Sequence, residues 1–433
     1  MSDEPFIDRA AERLGGDLGL VIAFFVGIYA LYIAFGLLLG YGANGTANAL
    51  RRITFLAAVY ALAVLALNLH WGYTGLFNIG VAGFMAVGVY TMAMVSAAPV
   101  PGAAAGSFQG GLGLPLWVGI LAGMAAAGLF GAVASLPALR LRADYLAIVT
   151  IGLSEIARFT YQSTTFQPWT GGGSGFTLDS TPASVVADLS PNVAVGGVSA
   201  PVVNGWFYAI FLLVMVGVFY WFLARVANSP FGRVLAGIRE DEEATQSLGK
   251  HTPKFKMKSF VVGCAFMGLV GILWQGSRGF INPTTFKPQV TFFIWIAIII
   301  GGAGSNTGSV LGGALFAGLL FEGPRYVANV LSEFLALPSS PDTILQAFGG
   351  PGVFLSYFMN NVGPIRLILT GVVLVVLMHR RPDGLLGHRQ EPAAAVNILG
   401  DRGDESRSTT TGEALATDAT DDDATEGNGG ESK

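Results

Sequence analysis

Apolar positions along this chain run in long unbroken blocks, and polar residues collect between the blocks. Residues 18–41 read LGLVIAFFVGIYALYIAFGLLLGY, 24 positions without a charge. A helix needs about 20 apolar residues to cross the hydrocarbon core of a bilayer, so this run predicts a spanning helix. WFYAIFLLVMVGVFYWFLA at 206–224 predicts another, and LILTGVVLVVLMH at 367–379 a third that borrows residues from about 363 onward. Ten such segments can be drawn, at roughly 18–41, 53–70, 76–97, 115–138, 144–161, 206–225, 258–278, 288–303, 307–328 and 363–379.

One internal interval breaks this rhythm. Residues 232–260, GRVLAGIREDEEATQSLGKHTPKFKMKSF, crowd charges between two apolar blocks. Ser229 and Pro230 form a helix start, a capping hydroxyl followed by a residue suited to the first helical position. Phe231, Val234, Leu235 and Ile238 recur at helical spacing and give one apolar stripe. The stripe breaks at REDEEA and resumes in a new phase with Ala244 and Leu248. Four consecutive acids, Glu240 to Glu243, suit the start of a second helix through the helix dipole. Gly249 is placed to end that helix, and Pro253 to prevent its continuation. The pattern predicts two short helices with a bend near residues 237–241. Arg239 and Glu243 would pair at i,i+4 if one helix ran through both.

Composition places the chain in the membrane class: 433 residues, 52% hydrophobic, 12% charged, 60 glycines, with a mean hydropathy of +0.58. Residues 1–17 mix acids and bases before a run too long for a signal-peptide core, so the first span is expected to be retained. One cysteine, Cys264, excludes a disulfide framework within the chain. From residue 390 onward, 11 acids face three bases. The tail 388–433 is therefore expected to be a disordered, acidic, cytoplasmic extension of the membrane-spanning body at 18–387.

Lysine and arginine in short loops set orientation. The loop at 226–257, Arg140 with Arg142, and HRRPDG after the last span fall on one side if ten spans leave both termini cytoplasmic. Arg51 and Arg52 then fall outside and count against that layout. The loop at 161–205 is expected to be extracytoplasmic.

Glycines such as Gly75, Gly80, Gly83 and Gly88 let helices approach closely. Broken helices at Gly75 and Gly80 would alternatively line a pathway. Asn68 and Asn78 flank the start of the third segment and are pathway candidates. Glu155, with Arg158 at i+3, reads either as a local ion pair or as a functional pair, a gate or a substrate contact. Gln275 and Arg278 pose the same alternative. No catalytic residue and no metal-ligand spacing stands out; His70, His251, His379 and His388 are scattered at loop edges. GGAGSNTG lacks the lysine of a Walker A motif, so no nucleotide site and no cofactor are expected in this chain. Few basic residues and no aromatic interleaving argue against nucleic acid.

The charged interval resembles the EAA loop of ABC-importer membrane subunits: Glu243, Ala244 and Thr245, then three residues, then Gly249. Thr245 departs from the usual alanine. NLHWGYTGLFNIGVAGFMAVGVYT (68–91), LRLRADYLAIVTIGLSEIAR (139–158), TGGGSGF (170–176), IIIGGAGSNTGSVLGG (298–313) and RRPDGLLG (380–387) resemble the LivM-type permeases of branched-chain amino acid importers. That resemblance implies an all-α polytopic membrane protein of the type II importer-like class, in the cell membrane. It also implies a second related permease, two ABC ATPase subunits, an extracytoplasmic solute-binding protein and an amino acid substrate. Arg239, Glu240, Asp241, Glu242, Glu243, Ala244 and Gly249 would be the residues that couple to the ATPase. A urea or short-chain amide permease, or a secondary transporter with no ATPase, are the rival readings.

Overall fold

Backbone groups inside a bilayer have no water to bond, and this chain satisfies them almost entirely within helices. The computed structural model describes residues 17–102, 107–138, 143–380 and 383–386. Arg140, Arg142, the first sixteen residues and the acidic tail lie outside them. Helices of six residues or more are α1 Asp17–Leu38, α2 Ala43–Thr74, α3 Val81–Ser96, α4 Leu116–Ala138, α5 Ala143–Gln162, α6 Pro182–Asp188, α7 Ala200–Ala227 and α8 Pro230–Glu240. They continue with α9 Glu242–Ser247, α10 Thr252–Gln275, α11 Pro288–Gly301, α12 Asn306–Leu315, α13 Gly323–Phe334, α14 Pro351–Asn360 and α15 Val362–Arg380. Among the described residues, five helices are long and apolar enough to cross a membrane: Gly19–Leu38, Ala43–Thr74, Leu116–Leu136, Ala200–Ala227 and Thr252–Gln275. Each of the ten apolar segments coincides with a helix, several of them shorter than a full crossing requires.

The long helix α2 is the centre of the molecule. Its residues from Leu56 to Leu69 are almost all buried, because α7, α10, α11 and α12 all pack against it. A second packing unit joins α3, α4 and α10. There Gly88 meets Gly268 so closely that a Cβ on Gly88 would lie 2.5 Å from the Gly268 Cα. Such contact is how membrane helices gain packing without a hydrophobic drive between them. The outward faces of α1, α4 and α7 carry exposed Val26, Trp117, Leu129, Val214 and Trp221, apolar side chains suited to lipid.

One small departure from an all-helical body is an antiparallel pair, β1 Phe176–Thr177 with β2 Phe280–Ile281, in the register Phe176 to Ile281. It ties the loop at 161–205 to the α10–α11 connection. α12 runs on through a wide π-helical stretch, Phe316–Glu322. The Tyr32 hydroxyl donates to the Gly318 carbonyl at 2.5 Å in that stretch.

Candidate functional site

Two interruptions of the helical backbone face each other at the end of the molecule that carries the charged loop. The first follows α2. Gly75 ends the helix with φ 72°, and its N–H and that of Leu76 bond back to the carbonyls of Trp71 and His70. Positive φ is what makes glycine suitable there. The segment from Gly75 to Gly80 is then held by side chains. Thr150 Oγ1 accepts from the Ile79 N–H at 3.0 Å, Asn78 Oδ1 from the Gly80 N–H at 2.8 Å, and Trp295 Nε1 donates to the Asn78 carbonyl at 2.9 Å. α3 restarts at Val81, with Thr291 Oγ1 accepting from Ala82 at 3.0 Å.

The second interruption lies between α11 and α12. Gly302 and Gly304 have φ of 99° and 92°. Ser305 caps α12, accepting from the Gly308 N–H at 3.0 Å. Asn68 joins the two breaks: its Oδ1 accepts from the Gly304 N–H at 2.8 Å and its Nδ2 donates to Asn306 Oδ1 at 3.2 Å. The Tyr73 hydroxyl donates to the same Asn306 oxygen at 2.8 Å. Leu385 and Leu386 dock there as well, their N–H groups donating to the carbonyls of Ile300 and Gly301 at 2.9 and 3.0 Å. Residues from three motif stretches therefore meet in one buried polar node, although they lie far apart in the chain.

His70 belongs to this node and not to a loop edge. It is fully buried, stacked on the Phe260 ring at 4.8 Å between centroids. Asn78 Nδ2 donates to its Nδ1 at 3.1 Å, so Nε2 carries the hydrogen and donates to the Phe260 carbonyl at 3.0 Å. Nε2 thus ties α2 to α10 and Nδ1 holds the break segment through Asn78, so both ring nitrogens are committed to structure.

The charged loop forms two short helices, as its pattern predicts. Ser229 caps α8, accepting from Gly232 at 3.2 Å, and Leu235, Ala236 and Ile238 bury its apolar face. The bend falls at Asp241, in extended geometry (φ −153°, ψ 107°), and its carboxylate caps α9 by accepting from Ala244 at 3.0 Å. This bend separates Arg239 from Glu243, so the i,i+4 pair does not form. Arg239 instead turns inward and donates to the Gly72 carbonyl at the end of α2. Its aliphatic part lies against Gly75, where a Cβ would sit 3.5 Å from the Arg239 Cγ. Burial pushes the Arg239 guanidinium below its ordinary value, and Glu240 offsets part of that.

Glu242 also turns inward, accepting from Thr252 Oγ1 at 2.9 Å and pairing with Lys256 Nζ at 2.7 Å. Thr245, which stands where alanine is usual, is buried, and its hydroxyl donates to the Asp241 carbonyl at 2.8 Å. Gly249 has φ 76°, which suits the turn after α9. α9 ends before Pro253, which sits in the first turn of α10 and helps to start that helix. Glu240, Asp241, Glu243, Ala244 and Leu248 face out, with Leu248 at 79% exposure. The loop is thus divided between residues that anchor it and residues that it presents.

The remaining candidates stand apart from the node. Glu155 and Arg158 pair with each other on α5, Nε to Oε1 at 2.9 Å, and Arg158 lies over the Phe159 ring at 4.2 Å. Gln275 is buried at the end of α10, and its amide has no hydrogen-bond partner among the described residues. Gly80 packs against α5: a Cβ there would lie 2.5 Å from the Thr150 carbonyl oxygen. Among the described residues, no group of three His, Cys, Asp or Glu side chains is placed to hold a metal ion.

One pairing went unread in the sequence. Arg52 Nε and Nη2 donate to Glu322 Oε1 at 3.0 and 2.8 Å. The 270 residues between the partners leave no local signal for it.

A buried polar node beneath a split, outward-facing charged loop, inside a body of apolar helices, defines a polytopic membrane transport component. The chain belongs to the branched-chain amino acid transport system / permease component family, whose model matches residues 49–378. It is similar to the high-affinity branched-chain amino acid transport system permease protein LivM of Escherichia coli K12, at 30% identity over 77% of this chain and 69% of that protein. A probable LivM permease of Methanocaldococcus jannaschii is 26% identical over 76% of this chain and 90% of its own length. The permease protein BraD of Pseudomonas aeruginosa is 25% identical over 42% of this chain. No solved structure matches.

Proposed function

We propose that this chain is the membrane permease subunit of an ATP-binding cassette importer for branched-chain or other hydrophobic amino acids. Two ATPase subunits dock beneath the charged loop, a second related permease completes the pathway, and an extracytoplasmic binding protein delivers the substrate. About ten crossings of the type II importer-like kind place both termini in the cytoplasm. ATP is bound by the partner subunits, and this chain holds no cofactor and performs no chemistry.

The observation that carries this reading is the division of labour in the charged loop. Asp241 and Glu242 fold α9 and fasten it to α10, while Glu243, Ala244 and Leu248 are left in solvent. A helix so pinned offers a short mixed apolar and acidic face suited to a groove on a soluble partner. On the inner side, Arg239 ties the same loop to the break after α2. Force applied to the outer face therefore has a direct route to the polar node.

Co-expression with the two ATPases, second permease and binding protein of a branched-chain amino acid importer tests this. The chain should co-purify with an ATPase, and the reconstituted complex should take up labelled leucine only with ATP and loaded binding protein. ATP-independent uptake would sink the importer reading, and labelled urea carried in preference to leucine would sink the substrate assignment.

A further inference from the structure

About 20 residues of α2 separate Gly72 from Arg52, roughly 30 Å at the helical rise, so Arg51 and Arg52 lie at the end away from the charged loop. There α2, α6, α7, the turn after α10 and the π-helical stretch surround an open cavity of about 430 Å³. Three arginines line it, Arg51, Arg52 and Arg278, with one acid, Glu322. Glu322 is buried to 2% exposure. Its Oε1 is taken by Arg52, and its Oε2 has no hydrogen-bond partner among the described residues. Arg51 is aimed by Asn48, whose Oδ1 accepts from its Nε and Nη2 at 3.1 and 2.8 Å. It packs over Gly205, where a Cβ would lie 2.6 Å from the Arg51 Nη1. Neither Arg51 nor Arg278 has a carboxylate partner among the described residues. A narrow apolar cleft of about 40 Å³ adjoins the cavity, sharing Leu56, Phe321 and Arg278 and running toward Tyr60 and Met85.

We propose that this cavity is a receiving site for a zwitterionic α-amino acid with an aliphatic side chain. Arg51 and Arg278 take the carboxylate, Glu322 takes the ammonium, and the side chain points into the cleft beside Leu56 and Phe321. The charges select the ligand. A simple anion would leave the Glu322 Oε2 without a partner, and a simple cation would meet three guanidinium groups. A molecule with both charges a bond or two apart satisfies each in turn, and charged hydrogen bonds are the strong ones in such a site. The wide π-helical turn is what delivers Glu322 to the cavity, a placement such turns often serve at functional sites. The assignment rests on the importer reading above and adds to it a binding step within the permease itself.

The test uses the full complex in nanodiscs, without binding protein, and equilibrium binding of labelled L-leucine. 4-Methylpentanoate, which lacks the ammonium, and 3-methylbutylamine, which lacks the carboxylate, serve as competitors. Wild type should bind leucine and be displaced weakly by either competitor. Glu322→Gln should weaken leucine about tenfold or more and 4-methylpentanoate hardly at all. Arg278→Gln should weaken leucine and 4-methylpentanoate together and leave 3-methylbutylamine unchanged. If Glu322→Gln fails to assemble, the exposed Arg278 and the mild Gly205→Ala variant, which displaces Arg51, carry the same test. Wild-type complex that imports leucine but shows no binding of it, or binding that all three variants retain, overturns the cavity assignment and leaves the importer reading standing. Loss of ATP-driven leucine uptake in wild type overturns the importer reading instead.

Discussion

Arg239→Ala asks whether the loop transmits its load through α2. The side chain donates from a charged guanidinium to the Gly72 carbonyl, one of the acceptors left open at a helix end. A hydrogen bond from a charged donor is worth about 1.5–3 kcal/mol, which is roughly ten- to 150-fold in the equilibrium joining loop to helix. The loop itself should stay folded, because its caps at Ser229 and Asp241 and the Glu242–Lys256 pair do not involve Arg239. The expected result is an assembled complex that still hydrolyses ATP while leucine carried per ATP falls about tenfold or more. Arg239→Lys should recover part of the ratio, since an ammonium can reach one carbonyl but lacks the fork. The assay is paired uptake and phosphate release in proteoliposomes, with ATPase co-purification as the check on assembly. Wild-type uptake per ATP in Arg239→Ala would refute transmission through this contact.

Glu243→Lys changes only the presented face of α9, so it should abolish stimulation of the ATPase by loaded binding protein without lowering thermal stability; unchanged stimulation counts against docking there. Gly80→Ala drives a Cβ to 2.5 Å from the Thr150 carbonyl oxygen, a backbone atom that cannot step aside, and should cost about 3 kcal/mol or more. Gly75→Ala meets nothing closer than 3.5 Å and should cost only the left-handed strain, about 1–2 kcal/mol. Thermal melts in detergent should rank Gly80→Ala below Gly75→Ala, and the reverse order would refute the packing account. Glu155→Ala should lower uptake while leaving the complex intact; wild-type uptake would reduce the pair with Arg158 to a local contact.

Local patterns were legible in the sequence, and contacts across the fold were not. Ser229 and Pro230 announce α8, the four acids announce α9, and Gly249 ends it, because capping and dipole effects act within a turn or two. Pro253 was read only as a stop for α9, but a proline that cannot continue one helix also suits the start of the next, and here it lies in the first turn of α10. The Arg239–Glu243 pair failed because Asp241 breaks the helix between them. His70 looked like a loop residue since nothing nearby reveals that α10 lies across it. Glu322 sits inside LLFEGPRY, and its partner comes from 270 positions upstream. Asn68 was visible as a polar residue in an apolar run, but its bond to the α11–α12 break required both breaks to be in place.

The burial of α2 also bears on how the protein is made. α7, α10, α11 and α12 all follow it in the chain, so α2 leaves the ribosome before most of the helices that will cover it. Until they arrive it must wait against lipid, where an unpaired side-chain amide is costly. Its Asn68, His70, Tyr73 and Thr74 are gathered in the last two turns, at the end of the apolar run, and the turns above them, residues 56–67, are alanine, leucine and valine apart from Tyr60. A nascent α2 can therefore rest in the bilayer with its polar end wet. It exchanges water for Asn306, Phe260 and Ser259 only when the later helices close around it. The contacts of the polar node therefore form only once α10 and α12 have been made, well after α2 itself.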